Sequence, residues 1–90
     1  VDSRRIKLSD SVIAREIDGR AVLINLDSGF YYSLNEVGCI VFNLILKHGD
    51  FDEILEEIEG RFEVAESEAR EDLEAFIGSL EHERIVSSHS

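Results

Sequence analysis

Between residues 12 and 34 apolar residues alternate with polar ones, and from Val37 onward they recur every three or four positions. The first spacing predicts strands, the second helices. An apolar segment at Val12–Ile17 runs into Asp18-Gly19 and is followed by another at 21–26, so Asp-Gly predicts a two-residue type I′ hairpin turn. Asp27-Ser28-Gly29 then predicts a three-residue loop with Gly29 left-handed, and 30–34 the third strand of a meander. These turns pair Ile17 with Arg20 and Leu26 with Phe30. In that register Ile13, Ile17, Val22, Ile24, Leu26, Phe30, Tyr32 and Leu34 share one face, read as the core. Val12, Ala14, Glu16, Ala21, Leu23, Asn25, Tyr31 and Ser33 share the other. The run Phe30-Tyr31-Tyr32 is thereby divided: Phe30 and Tyr32 hold the sheet to the helices, and Tyr31 points outward beside Leu23. A buried Phe30 predicts a loss of roughly 3 to 5 kcal/mol on Phe30→Ala.

Helix follows. Asn35 or Ser33, the latter with Glu36 as a capping box, starts a helix carrying Val37, Ile40, Val41, Leu44 and Ile45 and ending near His48-Gly49. Asp50 with Glu53 predicts a second capping box and a short helix burying Ile54, Leu55 and Ile58 before Gly60. The third helix, about 65–84, repeats Ala69, Leu73, Phe76, Ile77 and Leu80, with Ile85-Val86 folding back on the core. Gly38 and Gly78 inside helices suggest close approach of another backbone, since each costs about 1 kcal/mol relative to alanine. The tails before about Lys7 and after Val86 are expected to be loose, leaving an ordered part of about 8–86 within one domain spanning 1–90. The fold class is α+β, a three-stranded antiparallel meander followed by three helices.

Ninety residues allow one small core. Net charge is −11, and the excess is local: residues 1–49 carry six acids and six Lys/Arg, residues 50–90 fourteen and three. Such a balance disfavours nucleic acid and anionic membranes. It suits solvated helix faces or a basic partner. No apolar run approaches the roughly 20 residues of a bilayer span, and VDSRRIKLSD contains no apolar signal segment, so the chain reads as cytoplasmic. The single cysteine, Cys39, excludes an internal disulfide.

A catalytic constellation is absent from the sequence. His48, His82 and His89 lack metal-ligand spacing, Cys39 reads as an inert thiol, and no GxSxG, HExxH, GxGxxG or P-loop pattern occurs. Neither an enzyme nor a cofactor is expected. What remains is a small sheet whose strands contain no proline, so that an edge can accept another extended chain, with the outward Tyr31 and Ser33 beside it. The competing readings are an edge that pairs with its own copy and a regulatory interaction subunit.

The run AVLINLDSGFYYSLNEVG, then FDEILEEI, then REDLEAFIGSLEHERIV resembles the PqqD-like family of peptide-recognition domains, over roughly 12–86. The resemblance implies a winged helix-turn-helix-like fold that binds the leader segment of a ribosomally made precursor peptide as an added strand. The leader lies against the third helix and is delivered to a maturation enzyme, often a radical S-adenosylmethionine enzyme, in pyrroloquinoline quinone or a related peptide-modification pathway. Carried over by position, the reader strand is Phe30, Tyr31, Tyr32 and Ser33, and the opposing helix offers Arg70, Leu73, Glu74, Ile77 and Glu81; periodicity leaves open which of Leu73, Phe76 and Ile77 faces the groove. Its acidity suits a leader bearing Lys or Arg. A DNA-binding winged helix would instead need a basic recognition helix, and this one carries seven acids against Arg70 and Arg84.

Overall fold

A computed structural model describes residues 4–89. The first hairpin turns where the sequence places it: Asp18 and Gly19 both have positive φ, 53° and 77°, and Ile17 pairs with Arg20. Two left-handed residues in succession are what a type I′ turn demands. The turn joins β2 (Val12–Ile17) to β3 (Arg20–Asn25). A short strand, β1 (Arg5–Leu8), precedes them.

The second turn differs from expectation by one residue. Asn25, not Leu26, pairs with Phe30, its N–H donating to the Phe30 carbonyl at 3.0 Å, so the connection to β4 (Tyr31–Leu34) has four residues, 26–29. The cause is the Asn25 side chain. Its Oδ1 accepts from the N–H groups of Asp27 (2.9 Å) and Ser28 (3.3 Å), and its Nδ2 donates to the carbonyls of Glu83 (3.3 Å) and Arg84 (3.2 Å). Because side chains alternate along a strand, one slipped residue exchanges faces. Ala21, Leu23 and Asn25 are therefore buried, whereas Ile13, Ile17, Leu26 and Phe30 are exposed. On β4 the expected sorting holds, with Leu34 buried, Tyr32 half-buried and Tyr31 exposed. Phe30 is 67% exposed and holds nothing to the helices, which overturns its assignment to the core.

Three helices follow: α1 (Glu36–His48), α2 (Phe51–Phe62) and α3 (Glu66–His82). Asn35 caps α1, its Oδ1 accepting from the Gly38 N–H at 2.8 Å, and Gly49 ends it in the left-handed conformation. Both ends thus follow capping chemistry. The neighbours a Cβ on Gly38 would meet are that cap oxygen and the Leu34 side chain, and none lies near Gly78, so neither glycine marks an approaching backbone. Asp50 precedes α2 without a side-chain cap bond. The Phe51 N–H donates to the Arg4 carbonyl instead, and Glu53 reaches back to His48 Nδ1 at 3.4 Å. The residue preceding β1 thus bonds the first N–H of α2, and the expected side-chain cap from Asp50 does not form.

Arg84, with φ of 58°, turns the chain out of α3 so that the Ile85 N–H closes on the Leu80 carbonyl at 2.8 Å. The last strand, β5 (Val86–His89), then pairs antiparallel with β1, Ile6 opposite Ser88 and Leu8 opposite Val86. Segments expected to be loose are therefore a second, two-stranded sheet beside the meander β2-β3-β4, while 1–3 and 90 lie outside the described residues. Ile6, Ile85 and Val86 join Leu23, Phe42, Ile45, Phe51, Ile54, Leu73, Ile77 and Leu80 in one core. The sheet and three helices form the α+β arrangement anticipated from the pattern.

The observed register has a direct mutational signature. Leu23→Ala is expected to cost about 2 to 5 kcal/mol in chemical denaturation. Asn25→Ala is expected to cost about 2 to 3 kcal/mol because buried polar groups lose their partners. Phe30→Ala should change stability by less than about 1 kcal/mol; a Phe30 loss equal to that at Leu23 would contradict this register.

Candidate functional site

Backbone hydrogen bonds decide which edge of the sheet is open. Leu26 N–H donates to Ser11 O at 2.8 Å and Asn25 N–H to Phe30 O. In an antiparallel ladder bonded pairs alternate, so the even residues of β3 bond toward β2 and the odd ones, 21, 23 and 25, toward β4. On β4 it is Tyr32 and Leu34 that bond back. Tyr31 and Ser33 consequently present their N–H and C=O groups outward, since the strand order β2-β3-β4 leaves β4 at the edge.

Beside that edge lies a groove of about 490 Å³. Tyr32 and Ser33 form one wall, and Ala69, Asp72, Leu73 and Phe76 of α3 the other. Between them lie Val37, Gly38 and Val41 of α1, Ile58 and Phe62 of α2, and Val64. Residues 69, 72, 73 and 76 are spaced i, i+3, i+4, i+7 and so lie on one helix face. Asp72 is the one carboxylate in the lining and makes no ion pair among the described residues.

Of the residues named from sequence, Tyr32, Ser33 and Leu73 come together in this groove. Tyr31 is exposed on the outer face of the sheet and does not line the groove, and Phe30 stands exposed where the loop joins β4. The others project elsewhere. Ile77 is in the core. Arg70 is bonded to Glu66 at 3.2 Å and approaches Asp52 at 4.0 Å, with its guanidinium 5.4 Å from the Phe51 ring centre. Glu74 is paired with Arg4 at 2.7 Å, and Arg4 itself sits 4.2 Å over the same ring. Glu81 accepts from the Ser88 hydroxyl at 2.7 Å. These polar residues tie α3 to α2, to the residue preceding β1 and to β5. Val37, Val41, Ile58, Phe62, Val64, Ala69 and Asp72 were not foreseen as groove residues, and of Leu73, Phe76 and Ile77, whose facing the period leaves open, the first two line the groove. The signal for the α3 members was present in their spacing, but it does not say which apolar stripe meets the sheet.

The family model described as "Coenzyme PQQ synthesis protein D (PqqD)" matches residues 20–86. The chain belongs to the PqqD family. This PqqD-family protein is similar in structure to "TbiB1 in Complex with the TbiA(beta) Leader Peptide", with 28% identity and a TM-score of 0.85 over 90% of this chain and 94% of that one. It shares its fold with "Lasso peptide synthetase B1 complexed with the leader peptide", at 20% identity and a TM-score of 0.82 over 92% and 98% of the two chains. No curated protein matches it.

Other polar clusters are less suited to a ligand. A depression of about 560 Å³ bordered by His48, Glu53, Glu57 and Arg61 lies on the charged surface of α2, away from the open strand. No three His, Cys, Asp or Glu side chains converge as metal ligands among the described residues, and no helix there is long and apolar enough to cross a membrane.

Cys39 is buried and donates its S–H to Glu16 Oε1 at 2.9 Å, while Asn43 donates to the same oxygen at 3.3 Å. That hydrogen bond, with burial and the carboxylate charge, pushes the Cys39 thiol up to about 11. The hydrogen bonds from Cys39 and Asn43 hold Glu16 below the usual carboxylate range, against the opposing effect of burial. A nucleophile needs the opposite shift. The bond requires a protonated thiol and an ionised carboxylate, so its stabilisation fades as pH rises from about 9 toward 11. It also fades as pH falls below the ordinary carboxylate value. Alkylation of folded protein at pH 8 should be far slower than that of a free thiol, and Glu16→Gln should shift the rate profile to lower pH. An unchanged profile would remove Glu16 as the cause.

Proposed function

We propose that this PqqD-family chain is a non-catalytic adaptor that captures the leader segment of a ribosomally made precursor peptide and presents it to a maturation enzyme. The observation that carries this reading is the open edge of β4 beside an apolar groove. A leader strand paired with Tyr31 and Ser33 would gain backbone hydrogen bonds, and its alternate side chains would turn toward Tyr32, Leu73 and Phe76. Affinity then comes from the ladder and selectivity from the groove. Supporting it, the structural neighbours are described in complex with leader peptides.

The lining indicates what such a leader carries. Apolar side chains two residues apart suit the groove, and a Lys or Arg beside them suits Asp72. The adaptor acts as one recognition domain in the cytoplasm and serves a peptide-modifying enzyme such as a radical S-adenosylmethionine protein, in pyrroloquinoline quinone biosynthesis or a related pathway. Nothing in this role calls for a catalytic group or a cofactor on the chain itself.

An amide-resolved NMR titration with the leader peptide encoded beside the gene, against a scrambled control, tests the reading. The largest shifts are expected at Tyr31 and Ser33 and along 69–76 of α3. Ser33→Pro removes one edge donor without touching the bonds to β3, and proline is tolerated at such edge positions. It should weaken the leader about tenfold, roughly 1.4 kcal/mol, with the fold retained. Shifts confined to the Arg70, Glu74 and Glu81 side of α3, or a concentration-dependent dimer that protects β4 without peptide, would displace this reading.

A further inference from the structure

A three-stranded sheet packed on helices through one face ordinarily shows water a polar second face. Here the second face is apolar along most of its length. Ile13, Ile24 and Tyr31 form one cross-strand row, Arg15, Val22 and Ser33 the next, and Ile17 with Arg20 the last before the hairpin turn. Ile17 is 72% exposed and Tyr31 74%. Exposed apolar side chains gathered on one face mark an interaction surface more often than scattered ones do.

The charge on this face is the reverse of the molecule's. The protein has 20 acids and nine Lys/Arg, yet these rows contain Arg15 and Arg20 and no carboxylate, and neither arginine forms an ion pair among the described residues. Glu16 belongs to the same strand but turns inward to Cys39. A second copy is a poor occupant, because matching faces would set arginines against arginines on two chains of charge −11. Nucleic acid is disfavoured, because two arginines are a small electrostatic footprint on a chain of charge −11.

We propose that the outer face of β2-β3-β4 docks the peptide-modifying enzyme, through an apolar patch on that enzyme rimmed by carboxylates that meet Arg15 and Arg20. The inference rests on the adaptor reading and extends it. Tyr31 and Ser33 belong both to this face and to the open edge, so a leader strand added there continues the same surface. Its outward side chains would lengthen the rows. The enzyme would then contact the adaptor and its captured peptide together, and a loaded adaptor would bind more tightly than an empty one.

The test uses the purified peptide-modifying enzyme encoded beside this chain's gene, titrated calorimetrically onto the full chain with saturating leader peptide. Arg15→Glu with Arg20→Glu, and separately Ile17→Ser, should each weaken the enzyme more than tenfold while leader affinity stays within twofold of wild type. Glu56→Lys, on α2, is the control and should change neither. Unaltered enzyme affinity in the face variants, or no enzyme binding by the loaded wild type, overturns the docking proposal. So does a sedimenting dimer abolished by Ile17→Ser, which would assign the face to a second copy. Failure of the wild type to bind leader counts separately, against strand capture.

Discussion

Four hydrogen bonds from one buried amide decide how the sheet sits on the helices. Asn25 spends its oxygen on its own turn, at Asp27 and Ser28, and its nitrogen on the carbonyls of Glu83 and Arg84 where α3 ends. The first pair of bonds sets the loop length, and the second fastens β3 to the far end of the chain. A buried amide is costly without partners and favourable with them. With the loop fixed, Leu23 goes into the core and Ile24 to the outside. The same carbonyls lie at the left-handed exit that sends Ile85 and Val86 back to β1.

That register also separates the sheet's tasks. The inner face, Ala21, Leu23 and Leu34, serves stability. Odd residues of β4 are left with unpaired backbone groups, and the outer rows are left apolar. Had Leu26 paired with Phe30, Val22 and Ile24 would have been consumed by the core. The outer face would then have been Ala21, Leu23 and Asn25, smaller and less apolar. The surface available to partners is thus a consequence of the amide, since both faces of β3 carry residues apolar enough to be buried.

This is why the sequence was legible in some places and not in others. Element order, the Asp-Gly turn and the helix caps at Asn35 and Gly49 rest on local chemistry, and local chemistry can be read from neighbours. The core face of β3 depends on Glu83 and Arg84, 58 and 59 positions away, and a pattern that scores Asn as polar and outward will choose the wrong face. β1 and β5 were missed for a related reason. Each has only four residues and is held by the other across the length of the chain, with Ile6 and Val86 as its small apolar contribution. At the groove, Tyr32, Ser33 and Leu73 were named through the family resemblance, carried over by position, and not from strand parity or helix period. Rotation of α3 about its axis was not legible, because Leu73, Phe76 and Ile77 are adjacent on a continuous apolar stripe.

The acids of α3 illustrate how far net charge can be carried toward specificity. Read as a wall, the helix offers a basic leader many contacts; in the fold Glu66 and Glu74 are engaged by Arg70 and Arg4, Glu81 by Ser88, and Asp72 alone lines the groove. At physiological ionic strength, exposed charges separated by more than about 8 Å are largely screened. Charges outside the groove therefore act on the approach of a cationic peptide, raising its association rate, more than on the bound contact. On the proposed reading, discrimination between leaders would fall to the apolar lining and the single carboxylate. An acidic surface and an apolar groove would on that reading divide encounter from selection, and net charge alone bears only on the first.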